Sequence, residues 1–149
     1  MYNKILVPLD GSKRAEAVLP HAMEMANRYG AEIIFLRVEE LYVMLEWDEV
    51  VDLAKCHEKF DTRKKASESY LDQIKSEFRD KGIKTDTRVV YGPVVKSILT
   101  IAEEMDVGII IMASHGLSGL PRTFYGSVTA GVLQKIDRPL LIIRTRRIK

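Results

Sequence analysis

Apolar residues gather along the chain into five short runs: Lys4 to Leu9, Glu32 to Val38, Lys84 to Val90, Val107 to Ala113 and Pro139 to Arg144. A strand with one wet face alternates apolar and polar positions, whereas the first, second, fourth and fifth runs are nearly continuous in Ile, Val and Leu. Continuity of that kind predicts strands covered on both faces, as in a parallel sheet. Between the runs the spacing changes to three and four residues. Ala15, Val18, Leu19, Ala22, Ala26 and Tyr29 mark an amphipathic helix with Gly30 as its stop. Leu71, Ile74 and Phe78 mark a second helix ended by Gly82, and Val95, Ile98, Leu99, Ala102 and Met105 a third. Val128, Val132, Leu133 and Ile136 mark a shorter fourth.

Strand and helix therefore alternate through the chain. That order predicts an open, doubly wound α/β sandwich with right-handed crossovers, a five-stranded parallel sheet with helices on both faces. A barrel is excluded, because five units cannot close one built of eight. No internal repeat or low-complexity linker divides the pattern, so one domain over residues 1–149 is expected. The irregular stretch runs from Glu39 to His57, where Leu41, Tyr42, Val43, Met44, Leu45 and Trp47 stand among acids. Either a lid or partner surface, or a short helix folding its apolar side inward, fits that composition. The stretch is expected to be the most mobile or partner-dependent part of the chain.

Composition narrows the function classes. A chain of 149 residues that is 46% hydrophobic can bury a core without staples. Cys56 is the one cysteine, which excludes an intramolecular disulfide and a thiolate metal cluster. A net charge of +2 gives no general attraction to nucleic acid. No apolar run reaches the roughly 20 residues of a membrane span, and Met1 to Lys4 leads straight into a strand without a signal peptide; a cytoplasmic protein with no membrane association is expected. Acids crowd residues 39–58 and bases the tail, at Arg144, Arg146, Arg147 and Lys149; both are read as solvated surface.

In an open α/β sheet, ligands bind outside the carboxyl ends of the strands where strand order reverses, so the residues just past each strand matter most. After the first strand come Asp10, Gly11 and Ser12, a carboxylate, a turn and a helix N-cap. After the fourth come Ser114, His115 and Gly116, and then Gly126 and Ser127 open the last helix. A glycine before a helix start can mark a tight turn. It can also mark an anion site, where unsatisfied N–H groups and the helix dipole favour phosphate.

Taken together, these stretches resemble the ATP-binding branch of the universal stress protein family. Its fingerprint is Gly, two residues, Gly, nine residues, Gly, then Ser or Thr. Here Ala113-Ser114-His115-Gly116 is followed by Leu117 to Tyr125 and then Gly126-Ser127. The resemblance covers the whole chain, from Ile5-Leu6-Val7-Pro8-Leu9-Asp10-Gly11-Ser12 to Arg138-Pro139-Leu140-Leu141-Ile142-Ile143. The departure is Ala113 for glycine, a methyl that an extended backbone tolerates and a positive φ does not.

The resemblance implies a Rossmann-like fold of the adenine nucleotide alpha hydrolase type, binding ATP. Pro8, Leu9 and Val38 would line the adenine pocket. Asp10 would face the ribose, or a Mg2+ or Mn2+ ion carried by the phosphates. Met112 and Ala113 would flank the nucleoside, while Gly116, Gly126, Ser127 and Val128 would form the phosphate cradle. His115 is expected to contact the nucleotide or the backbone. Arg122, added on charge alone, is either a phosphate contact or a solvated loop cation. A homodimer through the last strand is expected, because Pro139 to Arg144 should lie at a sheet edge, and the family pairs final strands about a two-fold axis.

Other chemistries are set aside. Ser114-His115 suggests a nucleophile and base, but sequence neighbours rarely face each other and no G-x-S-x-G elbow is present. His21 and His57 lack metal-ligand spacing, and neither G-x-x-x-x-G-K-[ST] nor G-x-G-x-x-G occurs. An ATP pyrophosphatase would carry a Ser-Gly-Gly-type loop where this chain has Asp10-Gly11-Ser12-Lys13. The expected function is a nucleotide-responsive regulatory protein of the stress response. No general base for attack by water is evident, so it is not expected to be a dedicated enzyme; slow hydrolysis would rest on positioning and metal charge. The alternative is a dimerisation module of the same fold that binds no nucleotide.

Overall fold

The computed structural model describes residues 1–40, 53–115 and 126–144. Strand β1 (Lys4–Pro8) leads through a 3-10 turn (Ala15–Val18) into α1 (Leu19–Tyr29), and Gly30 ends that helix at φ 61°, as the periodicity predicts. Strand β2 (Glu32–Glu39), helix α2 (Leu53–Asp80), β3 (Thr85–Tyr91), α3 (Val94–Glu104), β4 (Ile109–Ala113), α4 (Ser127–Lys135) and β5 (Leu140–Ile143) follow. The five strands form one parallel sheet in the order β3-β2-β1-β4-β5. The predicted open parallel sheet is therefore the observed fold.

Alternate residues of the central strands enter two separate cores. Ile5, Val7, Ile33, Phe35 and Ile111 pack with Ala22 and Ala26 of α1 and with Leu71, Ile74 and Phe78 of α2. Leu6, Ile34, Leu36, Ile110 and Met112 pack with Ile98, Ile101 and Ala102 of α3 and with Val132 of α4. Both faces of the sheet are covered, which is why these strands read as continuous apolar runs. The chain steps from β1 outward to β3, then crosses back past β1 to β4. The reversal of winding thus lies between β1 and β4, at their carboxyl ends.

Helix α2 is much longer than the apolar spacing around Leu71 implies. Its described side chains from His57 to Ala66 are exposed apart from Phe60, so that half presents no stripe for periodicity to detect. It is held instead by stacking of Phe60 on Tyr91, ring centroids 4.2 Å apart, and by a 2.6 Å hydrogen bond from the Ser67 hydroxyl to Glu39 Oε1. The stretch read as irregular is accordingly shorter at both ends, since Glu39 belongs to β2 and residues 53–57 to α2. Residues 41–52, with Trp47, lie outside the described residues. Among the described residues, no helix is long and apolar enough to cross a membrane.

Candidate functional site

At the end of β1 the chain makes one last sheet bond, from Leu9 N–H to the Leu36 carbonyl at 2.8 Å, and turns away. Asp10 Oδ1 accepts the Ser12 N–H at 2.8 Å, and Gly11 sits at φ 86°, a conformation that favours glycine. The Ser12 hydroxyl then accepts the Ala15 N–H at 3.1 Å, capping the helical segment as the sequence suggests. The carboxylate is therefore fixed at a strand end rather than carried on a loose loop. Next to it, β2 continues past the end of β1. Leu36 bonds towards β1 and Glu39 accepts from Gly92 on the β3 side. By strand alternation, Val38 N–H and C=O face the β1 side above the point where β1 has left the sheet.

The opposite wall comes from β4 and α4. The Thr129 hydroxyl donates to the Ala113 carbonyl at 2.9 Å, and Gly126 N–H donates to the Ser114 carbonyl at 2.8 Å. These two bonds pin the start of α4 to the end of β4. Gly126 is at φ −58° and ψ 156°, open to any residue, so its requirement is space: a Cβ there would lie 3.3 Å from the Ser114 oxygen. Among the described residues, no side chain caps α4. The first intrahelical bond from this end is Ala130 N–H to the Gly126 carbonyl, which leaves the N–H groups of Ser127, Val128 and Thr129 without helical acceptors.

Between these walls lies a cavity of about 270 Å³. Pro8, Leu9, Asp10, Val38, Met112, Ala113, His115, Gly126, Ser127 and Val128, all singled out from sequence, line it together. Gly116 and Arg122 lie outside the described residues. Ala15, Leu36, Val94, Ile98 and Thr129 also line it. Val94 and Ile98 carry the core stripe of α3, and helical periodicity alone cannot separate a core position from a cavity wall. Thr129 had a usable signal, a hydroxyl three residues past a glycine N-cap. Its lining is part apolar, through Pro8, Leu9, Leu36, Val38 and Ile98, and part polar, through Asp10, His115, Gly126, Ser127 and Thr129.

Ala113 lies in the extended strand β4, and its side chain joins the core that contains Leu9 and Ala15. Asp106 is the one non-glycine residue at positive φ among the described residues, so Ala113 carries no backbone strain. Ser114 and His115 require a correction. They do face each other, with Ser114 Oγ 3.1 Å from His115 Nδ1 and both residues buried. Neighbours in extended chain usually diverge, but here the chain is leaving β4 at a bend. A catalytic triad would hold the second ring nitrogen with a carboxylate; His115 Nε2 is buried and has no hydrogen-bond partner among the described residues.

A second polar group lies on the α2 side. Arg37 Nε pairs with Glu39 Oε1 at 3.2 Å, and Arg37 Nη1 lies 3.2 Å from the Cβ position of Gly11. Burial pushes the Tyr70 phenol up to about 12, with the negative charges of Glu16 and Asp10 adding to the effect. Tyr70 is therefore a neutral hydroxyl at physiological pH. Among the described residues, no group of three or more His, Cys, Asp or Glu side chains is placed to hold a metal ion. The donor set fits a divalent ion only where phosphates complete its shell beside Asp10, as magnesium sites often do.

The universal stress protein family model matches residues 1–144. The chain belongs to the universal stress protein family. It is 33% identical to universal stress protein MJ0577 of Methanocaldococcus jannaschii, over 98% of this chain and 97% of that protein. It is 31% identical to universal stress protein YxiE of Bacillus subtilis, over 97% of this chain and 100% of that one. The solved structure of MJ0577 superposes with a TM-score of 0.86 at 32% identity, covering 99% of each chain. A universal stress protein solved in complex with cAMP has a TM-score of 0.71 at 19% identity over 97% of this chain and 98% of that one, a likeness of fold. In this universal stress protein, the cavity at the β1–β4 reversal is thus set in the family's own sheet.

Proposed function

We propose that this protein binds ATP in the cavity at the ends of β1, β2 and β4, and acts in the cytoplasm as a nucleotide-responsive regulatory protein of the stress response. The observation that carries the proposal is the start of α4: three N–H groups without helical acceptors, no capping side chain among the described residues, and a glycine held against β4, at a cavity that Pro8, Leu9, Leu36, Val38 and Ile98 also line. Phosphate suits the helix start and a flat base the apolar lining. Val38 N–H and C=O offer a neighbouring donor and acceptor to a base edge. The resemblance of sequence adds the choice of adenine, and the whole chain acts as one such domain. Denaturing freshly purified protein and identifying any released nucleotide tests the proposal, together with calorimetric titration. Absence of both released nucleotide and ATP binding up to millimolar concentration sinks it and leaves the dimerisation module.

Asp10 serves in this proposal beside the Mg2+ or Mn2+ ion carried by the phosphates. Asp10→Asn retains an oxygen to accept the Ser12 N–H and removes the charge. ATP affinity with magnesium present is expected to fall about tenfold, ~1.4 kcal/mol. With magnesium chelated, the fall should be much smaller. Equal losses in the two titrations would place Asp10 on the ribose instead.

The proposal includes a homodimer through β5. That strand lies at the sheet edge. Pro139 and Ile143 carbonyls accept bonds from β4, so by alternation Leu140 and Ile142 turn their N–H and C=O groups outward. Outward groups on an apolar edge invite a second strand. Ile142→Pro removes one outward donor and spares the bonds to β4, so the variant should remain folded and scatter light as a monomer. A wild-type monomer at tens of micromolar, or a dimer indifferent to the proline, counts against pairing through this strand.

A further inference from the structure

We infer that Ser114 holds His115 in the tautomer protonated at Nε2, and that this N–H donates to a phosphate oxygen of the bound nucleotide. His115 is 5% exposed and Ser114 1%. The contact between Ser114 Oγ and His115 Nδ1, at 3.1 Å, can be made in two ways. If the hydroxyl donates, Nδ1 is the acceptor, the ring proton sits on Nε2, and one buried donor is left without a partner. If Nδ1 donates, both the hydroxyl proton and the Nε2 lone pair are left without partners. Two buried unsatisfied groups cost more than one, so the first arrangement is preferred.

The position of the residue then selects the ligand atom. Ser114 N–H is spent on the Ile143 carbonyl and its own carbonyl on Gly126 N–H, so the backbone on either side of Ser114 is tied into the sheet and the helix start. The Cβ position of Gly126 lies 3.7 Å from His115 Cα, which sets the histidine against the start of α4. The N–H groups at the start of α4 and His115 line one cavity, and the histidine carries a buried ring nitrogen that lacks a partner among the described residues; together they call for an anionic acceptor with more than one oxygen. The inference rests on the ATP reading of the cavity, since that reading supplies the phosphate. It adds a side-chain donor whose tautomer is set by its neighbour.

Nitrogen-15 spectra of the imidazole rings of wild-type protein at neutral pH provide a test independent of any variant. The expected result is an Nε2–H tautomer for His115, with the Nε2 resonance moving when ATP is added and much less when adenosine is added. His115→Phe keeps a ring and removes the donor; its affinity for ATP should fall at least tenfold more than its affinity for adenosine, and His115→Gln should recover part of the difference. An Nδ1–H tautomer, or equal losses for ATP and adenosine in the folded variant, overturns the inference and leaves ATP binding intact. Wild-type protein that binds neither ligand overturns the nucleotide reading itself, and this contact with it.

Discussion

Gly126→Val is expected to weaken ATP binding at least tenfold, and as much as a hundredfold. The backbone at this position accepts a side chain, so strain in φ is not the cause. The cause is distance. A Cβ at 3.3 Å from the Ser114 oxygen is already tight, and the added γ carbons of valine must push α4 away from β4. The bond from Gly126 N–H to Ser114, now 2.8 Å, lengthens, and the N–H groups of Ser127 and Val128 retreat with it. Backbone donors contribute only when phosphate reaches about 2.7–3.2 Å. Each hydrogen bond to a charged group contributes about 1.5–3 kcal/mol, so losing one accounts for the lower bound and weakening a second for the upper. Ser127→Ala removes one hydroxyl and leaves the backbone in place, and should have the smaller effect. Calorimetry on folded variants decides: a Gly126→Val protein with wild-type affinity would remove the helix start from the site.

How much of this was legible in the sequence depends on what each residue does. Lys4 to Leu9 and Val107 to Ala113 could be read as buried strands because both sheet faces are covered, and that leaves a composition no other element imitates. The strand-end rule then pointed to Asp10, His115 and Gly126 with no knowledge of strand order, because every carboxyl strand end in an open parallel sheet lies on one side, and the three line one cavity. The amino-terminal half of α2 was invisible: an exposed helix held by one aromatic stack and one hydroxyl bears no periodic stripe. Ile98 was legible as helix and not as cavity wall, because both environments ask for the same side chains. The Ser114–His115 contact was misjudged from a rule about extended chain that stops applying at the bend after β4. Ala113 posed a question that only a dihedral could answer, and its place in β4 answers it.

Phe78→Ala is expected to destabilise the fold by about 3–5 kcal/mol, the range for removing a fully buried aromatic ring. Phe78 is 1% exposed and meets Phe35 edge to face, ring centroids 5.0 Å apart at 82°. Leu71 and Ile74 precede it on the same face of α2, so this end carries most of that helix's purchase on the sheet. The cavity left by the ring lies under the middle of β2, where a rigid sheet cannot collapse to fill it. A fall in melting temperature on the order of 10 °C should accompany the loss, with an unchanged urea m-value. A loss below about 1 kcal/mol would mean that α2 repacks and that the long helix is only loosely specified. The same variant separates the two faces of the sheet. Phe35 enters the α1 and α2 core, while Leu36 beside it enters the other core and lines the cavity. If the faces are independent, ATP at a hundredfold its Kd should stabilise wild type and variant alike, by about 2.7 kcal/mol each. A smaller gain in the variant would show that the loss of the ring reaches the cavity, through β2 or through Leu9, Ala15 and Ala113 of the same core.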